Sequence, residues 1–264
     1  MHDLAFVFAG SFVGFVVALT GVGGGSLMTP LLIFGFGIAP NLAVGTDLLF
    51  AAGTKLGGTL QFARRRLVPW RVVGQLSLGS LPAALATLWI LQRVGPAEPA
   101  VQRVITLTLG VAVLLTAAAT LYKATLGHAA QRHDAPLPAH TDPTQARHWA
   151  LPIALGAAIG ALVTLTSVGA GAVGVAVLLL LYPALPLARI VAADIAYAVP
   201  LTLVAGLGHA AIGSINWPLL GLLLAGSLPG VWLGARLTAH APQRLVRSIL
   251  SLLLAYAGSK LVFA

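Results

Sequence analysis

Two glycine-rich segments hold the residues best suited to binding chemistry. They read Thr20-Gly21-Val22-Gly23-Gly24-Gly25-Ser26 and Thr166-Ser167-Val168-Gly169-Ala170-Gly171. Glycines clustered in this way interrupt a helix and free backbone N–H and C=O groups. A helix that restarts after the break directs unpaired N–H groups and the positive end of its dipole at one place. This arrangement suits a small anion without requiring a buried basic side chain.

Close packing of helices is the simpler explanation for the same glycines, because small residues let helices approach each other in a membrane. The cluster occurs twice, each time beside a short apolar segment, and this favours a broken-helix binding site. No Gly-Lys-Ser/Thr follows either cluster, so a phosphate-binding P-loop is not predicted. The predicted binding residues in the two clusters are Thr20, Gly21, Gly23, Gly24, Gly25, Ser26, Thr166, Ser167, Gly169 and Gly171.

Three fixed charges, Asp47, Lys55 and Asp194, lie inside apolar stretches. An ionisable group at membrane depth is costly and normally faces a protein interior or a wet pathway. The aspartates could cap helix starts or carry a coupling proton. Lys55 either pairs with an aspartate or attracts a substrate anion, and we include it among the predicted binding residues. Eight positions separate it from Asp47, too far for direct pairing along one helix.

Histidines and cysteines give little support for catalysis or metal binding. His209, near the end of a predicted span, is either an interface residue or a pH-sensitive proton relay, and we group it with Asp47 and Asp194 as coupling or helix-capping residues. The chain has no cysteine, and the histidines of its central polar segment lack regular spacing. Paired carboxylates at helical spacing and a nucleophile elbow are also missing. We therefore predict no enzyme activity, no cofactor and no metal site.

The composition indicates that the chain lies in a membrane. Apolar residues make up 58% of the 264 residues and charged residues only 8%, against about a quarter charged in an ordinary soluble domain. The net charge of +9 could suggest a nucleic-acid partner. However, Arg64, Arg65, Arg66 and Arg71 lie between apolar stretches, as in the loops of membrane proteins. The sequence therefore predicts an all-α integral membrane protein that contacts the lipid bilayer and binds no nucleic acid.

Apolar stretches predict about ten transmembrane segments. They cover residues 4–20, 26–38, 42–62, 72–92, 102–122, 149–166, 172–185, 188–209, 217–235 and 244–263. Two of them, 26–38 and 172–185, are shorter than the ~20 residues that cross a bilayer. The predicted number of crossings is eight to ten, because short segments beside glycine breaks make hydropathy counts ambiguous. Pairing each short segment with its predecessor as a re-entrant hairpin would leave three crossings in each half.

The two halves of the chain repeat each other. Gly79-Ser80-Leu81-Pro82 returns 147 positions later as Gly226-Ser227-Leu228-Pro229, and Asp47 returns as Asp194. Lys55 has Thr202 at its matching position. We predict a first transmembrane repeat over 1–123, a polar linker over 124–148 and a second repeat over 149–264. The loop over 63–71 carries four arginines, whereas its match over 209–217 carries no fixed charge; the loop over 93–103 has a net charge of only +1, whereas its match over 236–247 carries three arginines. This reversal indicates inverted repeats, an architecture of secondary transporters.

These motifs resemble the TauE/SafE family of sulfite and organosulfur-anion exporters over nearly the whole chain except the linker. The resemblance rests on Gly21-Val22-Gly23-Gly24-Gly25 before Pro30, on Ala43-Val44-Gly45-Thr46-Asp47, and on the arginine-rich loop ending in Trp70. The family often has serine where Asp47 stands. The resemblance implies a carrier for sulfite, a sulfonate or a similar anion across a bacterial inner membrane.

Other functions stay open at this point. An anion channel would use the same site, and a cation carrier would use Asp47 and Asp194. Proton coupling is an expectation for the carrier, with an aspartate holding the proton and the two halves rocking about the shared site. Self-association into a homo-oligomer also stays open.

Overall fold

The structure, a computed structural model, describes residues 2–20, 24–125, 150–237 and 243–263. These ranges form ten α-helices and no strand. The helices of the first half are α1 (His2–Thr20), α2 (Gly25–Phe36), α3 (Pro40–Arg64), α4 (Trp70–Val94) and α5 (Pro99–Thr125). Those of the second half are α6 (Ala150–Thr166), α7 (Ala172–Leu181), α8 (Leu187–Ala211), α9 (Trp217–Leu237) and α10 (Gln243–Phe263).

Each predicted segment coincides with one helix, so the all-helical prediction is confirmed. Within the described ranges, six helices are long and apolar enough to cross a membrane: α1, α4, α5, α8, α9 and α10. The apolar helices α2, α6 and α7 are shorter, and α3 has 25 residues but carries Asp47 and Lys55. The predicted linker lies outside the described residues, apart from the end of α5. The chain is a multi-pass membrane protein.

Apolar side chains lie both inside the helix bundle and on its outside. The largest buried cluster includes Leu48, Leu76, Leu178 and Leu201, which come from four different helices. Large apolar side chains such as Leu180, at 84% exposure, point outwards. A soluble protein would expose contiguous apolar surface only at interaction sites, whereas lipid solvates such a surface.

First and fourth helices pack across the two halves, α1 along α9 and α6 along α4. Glycines make these contacts possible. A Cβ atom at Gly226 would overlap the carbonyl oxygen of Val7, and one at Gly230 would overlap that of Ser11. Likewise, a Cβ atom at Gly160 would overlap the carbonyl oxygen of Ser80. Both helix pairs therefore lie backbone to backbone.

Third helices of the two halves contact each other, and so do the fifth helices. Gly45 near the start of α3 lies beside His209 near the end of α8, while Gly58 lies beside Ile195. The helices α3 and α8 are therefore antiparallel. In α5 and α10, Gly110 and Gly258 lie against each other. Each half thus uses the same helices to contact the other.

We expect Gly230→Ala to destabilise the protein by about 1–3 kcal/mol, because the added methyl group overpacks the α1–α9 contact. Gly221→Ala is the matched control in the same helix, where a Cβ atom meets nothing within 4 Å. This control should be neutral or gain up to about 1 kcal/mol, since alanine favours helix. Thermal unfolding of the detergent-solubilised variants measures both changes, and equal melting temperatures would contradict the packing.

Candidate functional site

The two helix breaks contact each other between the halves. The first separates α1, which ends at Thr20, from α2, which begins at Gly25. A Cβ atom at Gly25 would overlap the carbonyl oxygen of Ser167 in the second break and lie 3.0 Å from its hydroxyl. The structure therefore brings Gly25 and Ser167 together. Gly21 and Gly23 lie outside the described residues.

Unusual backbone conformations shape the second break. Gly169 and Gly171 have φ angles of 132° and 141°, and Ser167 has a φ angle of 59°. Glycine adopts positive φ at little cost, whereas a residue with a Cβ atom rarely does. The Thr166 hydroxyl lies 2.7 Å from the carbonyl oxygen of Leu162 and 3.0 Å from that of Val168, and it accepts the Val168 N–H at 3.1 Å. Thr166 thereby holds the break in place.

The residues on either side of the first break are also enclosed by protein. Thr20 and Ser26 are buried, and the Thr20 hydroxyl donates to the carbonyl oxygen of Val16 at 2.7 Å. The ring of Phe50, from α3, lies 3.5 Å from the position of a Cβ atom on Gly24. The predicted residues flanking this break therefore lie inside the protein.

Asp194 contacts the start of α7 although it lies two turns inside α8. Its Oδ1 atom accepts the N–H of Gly171 at 3.3 Å. Gly174 leaves room for this contact, since a Cβ atom there would overlap the same oxygen. A carboxylate at a helix N-terminus is stabilised by the helix dipole. Asp194 therefore caps a neighbouring helix and occupies part of the place that suits an anion.

Asp47 is fully buried and only partly hydrogen-bonded. Its Oδ2 atom accepts the Thr29 hydroxyl at 2.5 Å, while Oδ1 has no hydrogen-bond partner. The Ser167 hydroxyl lies close to this carboxyl group without forming a hydrogen bond to it, and it too has no partner. Buried polar atoms are normally hydrogen-bonded. The unpartnered oxygens of Asp47 and Ser167 therefore indicate a place for a proton or a ligand.

Lys55 connects α3 to the second break. Its Nζ atom donates to the carbonyl oxygen of Ala170 at 3.0 Å. Protein atoms surround the side chain on most sides, yet part of it stays accessible. The ammonium group interacts electrostatically with both Asp194 and Asp47. One positive and two potential negative charges therefore share this site.

Tyr197 is a candidate that the sequence analysis missed. It lies one turn after Asp194, is fully buried, and its hydroxyl has no hydrogen-bond partner. The matching residue in the first half is Phe50, which lies beside Gly24. A difference of one hydroxyl between matching aromatic rings was visible in the sequence and could have identified Tyr197.

His209 lies away from the contact between the breaks. It is fully buried, and its Nε2 atom lies 3.0 Å from the carbonyl oxygen of Thr164 in α6. Because a carbonyl can only accept, Nε2 carries the proton in this contact. Nδ1 then has a free lone pair and no partner. His209 therefore connects α8 to α6 and retains one unused polar atom.

Two surface cavities lie elsewhere. One of about 300 Å³ is lined by Arg103, Thr106, Leu107, Leu261 and Val262. The other, of about 520 Å³, is lined by Gly74, Ser77, Leu78, Leu81 and Pro82. Neither touches the breaks, and we place the candidate site at the breaks because the buried charges and unpartnered polar atoms are there. Among the described residues, no group of three or more His, Cys, Asp or Glu side chains could hold a metal ion.

Comparisons with known proteins identify a family. The family described as "Sulfite exporter TauE/SafE" matches residues 6–261. The chain is 34% identical to the probable membrane transporter protein YjnA of Bacillus subtilis (strain 168), over 98% of this chain and all of that protein. It is 23% identical to the probable membrane transporter protein YunE of the same organism, over all of this chain and 98% of that protein. No solved structure matches.

Tyr197→Phe should raise the free energy of unfolding of the ligand-free protein by about 1–3 kcal/mol, because it removes an unsatisfied buried hydroxyl. Tyr182→Phe is the control, since the Tyr182 hydroxyl donates to Gln75 Oε1 at 2.8 Å. That variant should lose about 1 kcal/mol. Thermal melts in detergent distinguish the two. A Tyr197→Phe variant as destabilised as Tyr182→Phe would show that the Tyr197 hydroxyl is satisfied.

Proposed function

This chain belongs to the TauE/SafE family, and from that premise we propose that it is a secondary transporter of a small oxyanion, such as sulfite or a sulfonate, in the bacterial inner membrane. The membrane location of the helices and the two transporter relatives support the general function. The observation that carries the substrate class is the contact between two helix breaks beside Lys55.

An inverted repeat would place this site at the bilayer midplane. Equivalent helices α3 and α8 contact each other and run antiparallel, as two halves of opposite orientation require. The breaks are equivalent segments and also contact each other, so they lie next to the pseudo-twofold axis. In transporters with inverted repeats, the substrate binds near the midplane where the repeats meet.

The donors around the breaks suit an oxyanion. The first amides of α2 and α7 lack partners within their own helices. The Ser167 and Tyr197 hydroxyls are buried without partners, and each could donate to a substrate oxygen. Lys55 would exchange the carbonyl of Ala170 for the anion, a stronger acceptor. The positive ends of two helix dipoles would add to its field.

The aspartates suggest how a proton would be coupled. With Asp47 and Asp194 both ionised, the two carboxylates outnumber the single ammonium group of Lys55, and an arriving anion is repelled. Asp194 already accepts an N–H and sits at a helix N-terminus, which favours its charged form. Asp47 has one unpartnered oxygen in a fully buried position. We therefore assign the coupling proton to Asp47, with His209 as a second candidate on the pathway.

A cation carrier is the main alternative, and the two carboxylates at the breaks favour it. A cation would use Asp47 Oδ1, which has no partner. Lys55 and the N-terminal ends of α2 and α7 oppose this, because all three repel positive charge. Competition experiments with anions and cations distinguish the two functions.

Lys55→Thr copies Thr202 from the matching position and removes the positive charge. We expect it to lower the uptake of labelled sulfite into proteoliposomes by about tenfold or more, because hydrogen bonds to charged groups contribute about 1.5–3 kcal/mol. Lys260→Thr is the matched control, since Lys260 packs over the Phe34 ring near the far end of α2. This control should retain uptake.

Outcomes for Lys55→Thr separate the alternatives. Saturable uptake that is competed by sulfonates and lost in the variant supports the anion carrier. Flux faster than one carrier cycle allows would indicate a channel. If sulfite, sulfonates and thiosulfate all fail to enter the liposomes, the anion proposal is wrong, and cation transport through Asp47 and Asp194 becomes the function to test.

Asp47→Asn keeps the shape of the side chain and removes its titratable proton. We expect a pH gradient to stop driving uptake in this variant, while exchange of labelled for unlabelled substrate at equal pH continues. A labelled sulfonate is the appropriate substrate, because it remains an anion throughout the range tested, and empty liposomes correct for passive leakage. If the gradient still drives uptake in the variant, Asp47 does not carry the coupling proton.

A further inference from the structure

Matching faces of α3 and α8 differ in burial. The face of α8 consists of Leu201, Thr202, Ala205, Gly206 and His209, all buried. The matching face of α3, 147 positions earlier, consists of Thr54, Lys55, Gly58, Thr59 and Phe62, each partly exposed. We call these the closed face and the open face. The repeats therefore have similar sequences but different packing at this place.

Coverage by the fourth helix of each half explains the difference. Beside the closed face, a Cβ atom on Gly208 would overlap the side chain of Leu88 from α4, and only 7% of Leu88 is exposed. The position matching Leu88 in the second half is Ala235 of α9, which is exposed. On the open face, a Cβ atom on Gly58 would meet only Ile195 of α8, at 3.5 Å, and no atom of α9. α9 therefore does not cover the open face of α3 in the way that α4 covers the closed face of α8.

Water, rather than lipid, fits the open face. Lys55 lies on it, and an ionisable side chain at membrane depth normally faces the protein interior or a water-filled cavity. Thr54 and Thr59 are polar neighbours on the same face, whereas Leu56, at 58% exposure, lies on the adjacent lipid side. A lipid-facing surface of a membrane helix is not expected to combine a lysine with two threonines. The exposed part of this face is therefore wet.

Hydrogen bonds close the opposite end of the helix bundle. At the start of α3, Asn41 Oδ1 accepts from Gln102 Nε2 of α5 at 2.7 Å. Thr46 Oγ1 accepts the backbone N–H of Asn216 at 3.1 Å. The positions that match Asn41 and Thr46 in α8 are Ala188 and Ala193, whose side chains form no hydrogen bonds. The start of α3 thus forms polar contacts that the matching positions of α8 do not form at the other end of the bundle.

From this asymmetry we propose that the open face of α3 lines a water-filled access path to the helix breaks, and that the closed face of α8 is the matching path in its closed state. This rests on the proposed function, because the path leads to the proposed anion site. If α4 moved away from α8 while α9 moved onto α3, the two faces would exchange their packing. The site would then open to the opposite side of the membrane. The path on α3 ends at Arg64, Arg65 and Arg66, so it opens to the cytoplasm by the positive-inside rule.

Single cysteines test the path directly, because the natural chain contains none. Thr54→Cys and Leu201→Cys are a matched pair on the open and closed faces. A membrane-impermeant maleimide added to inside-out vesicles should label Thr54→Cys about tenfold faster than Leu201→Cys, since labelling requires an accessible thiolate. Added to right-side-out vesicles, it should label neither rapidly. Equal labelling of the pair from the cytoplasmic side would overturn the path.

Leu56→Cys is the control for exposure to lipid. This thiol lies on the outside of α3 next to the open face, but it should resist a water-soluble reagent. If it reacts as fast as Thr54→Cys, exposure to the membrane surface explains the labelling and the proposed path is wrong. Labelling after denaturation in detergent normalises each variant for the amount of protein.

Asn41→Ala tests the exchange of packings. Without the Asn41–Gln102 hydrogen bond the closed end should open more often, so Leu201→Cys should react faster in right-side-out vesicles while Thr54→Cys reacts more slowly in inside-out vesicles. If both thiols react faster in the Asn41→Ala variant, the two ends open independently and the exchange of packings is disproved. The labelling assay needs no substrate. If the thiols react as expected but sulfite is not taken up, the proposed substrate is wrong and the proposed path stands.

Discussion

Backbone amides and carbonyls at membrane depth must find partners within the protein, because lipid offers none. The two helix interruptions increase the number of backbone groups that need such partners. The structure meets it with side chains from other helices: Asp194 accepts the amide of Gly171, and Lys55 donates to the carbonyl of Ala170. The charged side chains therefore stabilise the glycine breaks. Any ligand that binds at the breaks must compete with these side chains.

The helices could be predicted from the sequence, because prolines, glycines and charges mark their ends: the segment predicted over 42–62 is Pro40–Arg64. Both glycine clusters and the three charged residues of the site were likewise visible. Their partners were not. Thr29 and Asp47 are 18 positions apart, and Lys55 and Ala170 are 115 apart. Such contacts depend on how the helices are aligned with each other, which no local pattern encodes. The difference between Tyr197 and Phe50 was visible in the sequence, but only the structure shows that the Tyr197 hydroxyl is buried without a partner.

Differences between the two repeats are more informative about function than their similarities. A perfectly symmetric pair would present the same groups to both sides of the site. Here Lys55 matches Thr202 and Tyr197 matches Phe50, so the lysine comes from one half and the phenol from the other. An ammonium group and a phenol on different helices can hold a single ligand from two directions. Movement between the halves would then change the distance between these groups and hence the affinity for the ligand.

In the proposed mechanism, the same asymmetry would set the resting state. For an ideal inverted repeat, the states open to either side have equal free energy. The hydrogen bonds from Gln102 to Asn41 and from Asn216 to Thr46 have no counterpart at the matching positions of α8, while Tyr182 donates to Gln75 at the arginine-rich end. The difference of one hydrogen bond, at about 0.5–1.5 kcal/mol, would favour the state open at the arginine-rich end by about 2- to 13-fold in population. A bias of this size is small enough for a bound ligand with modest preference for the other state to reverse. These polar contacts would therefore make the empty protein open more often to the arginine-rich side and would still permit transport.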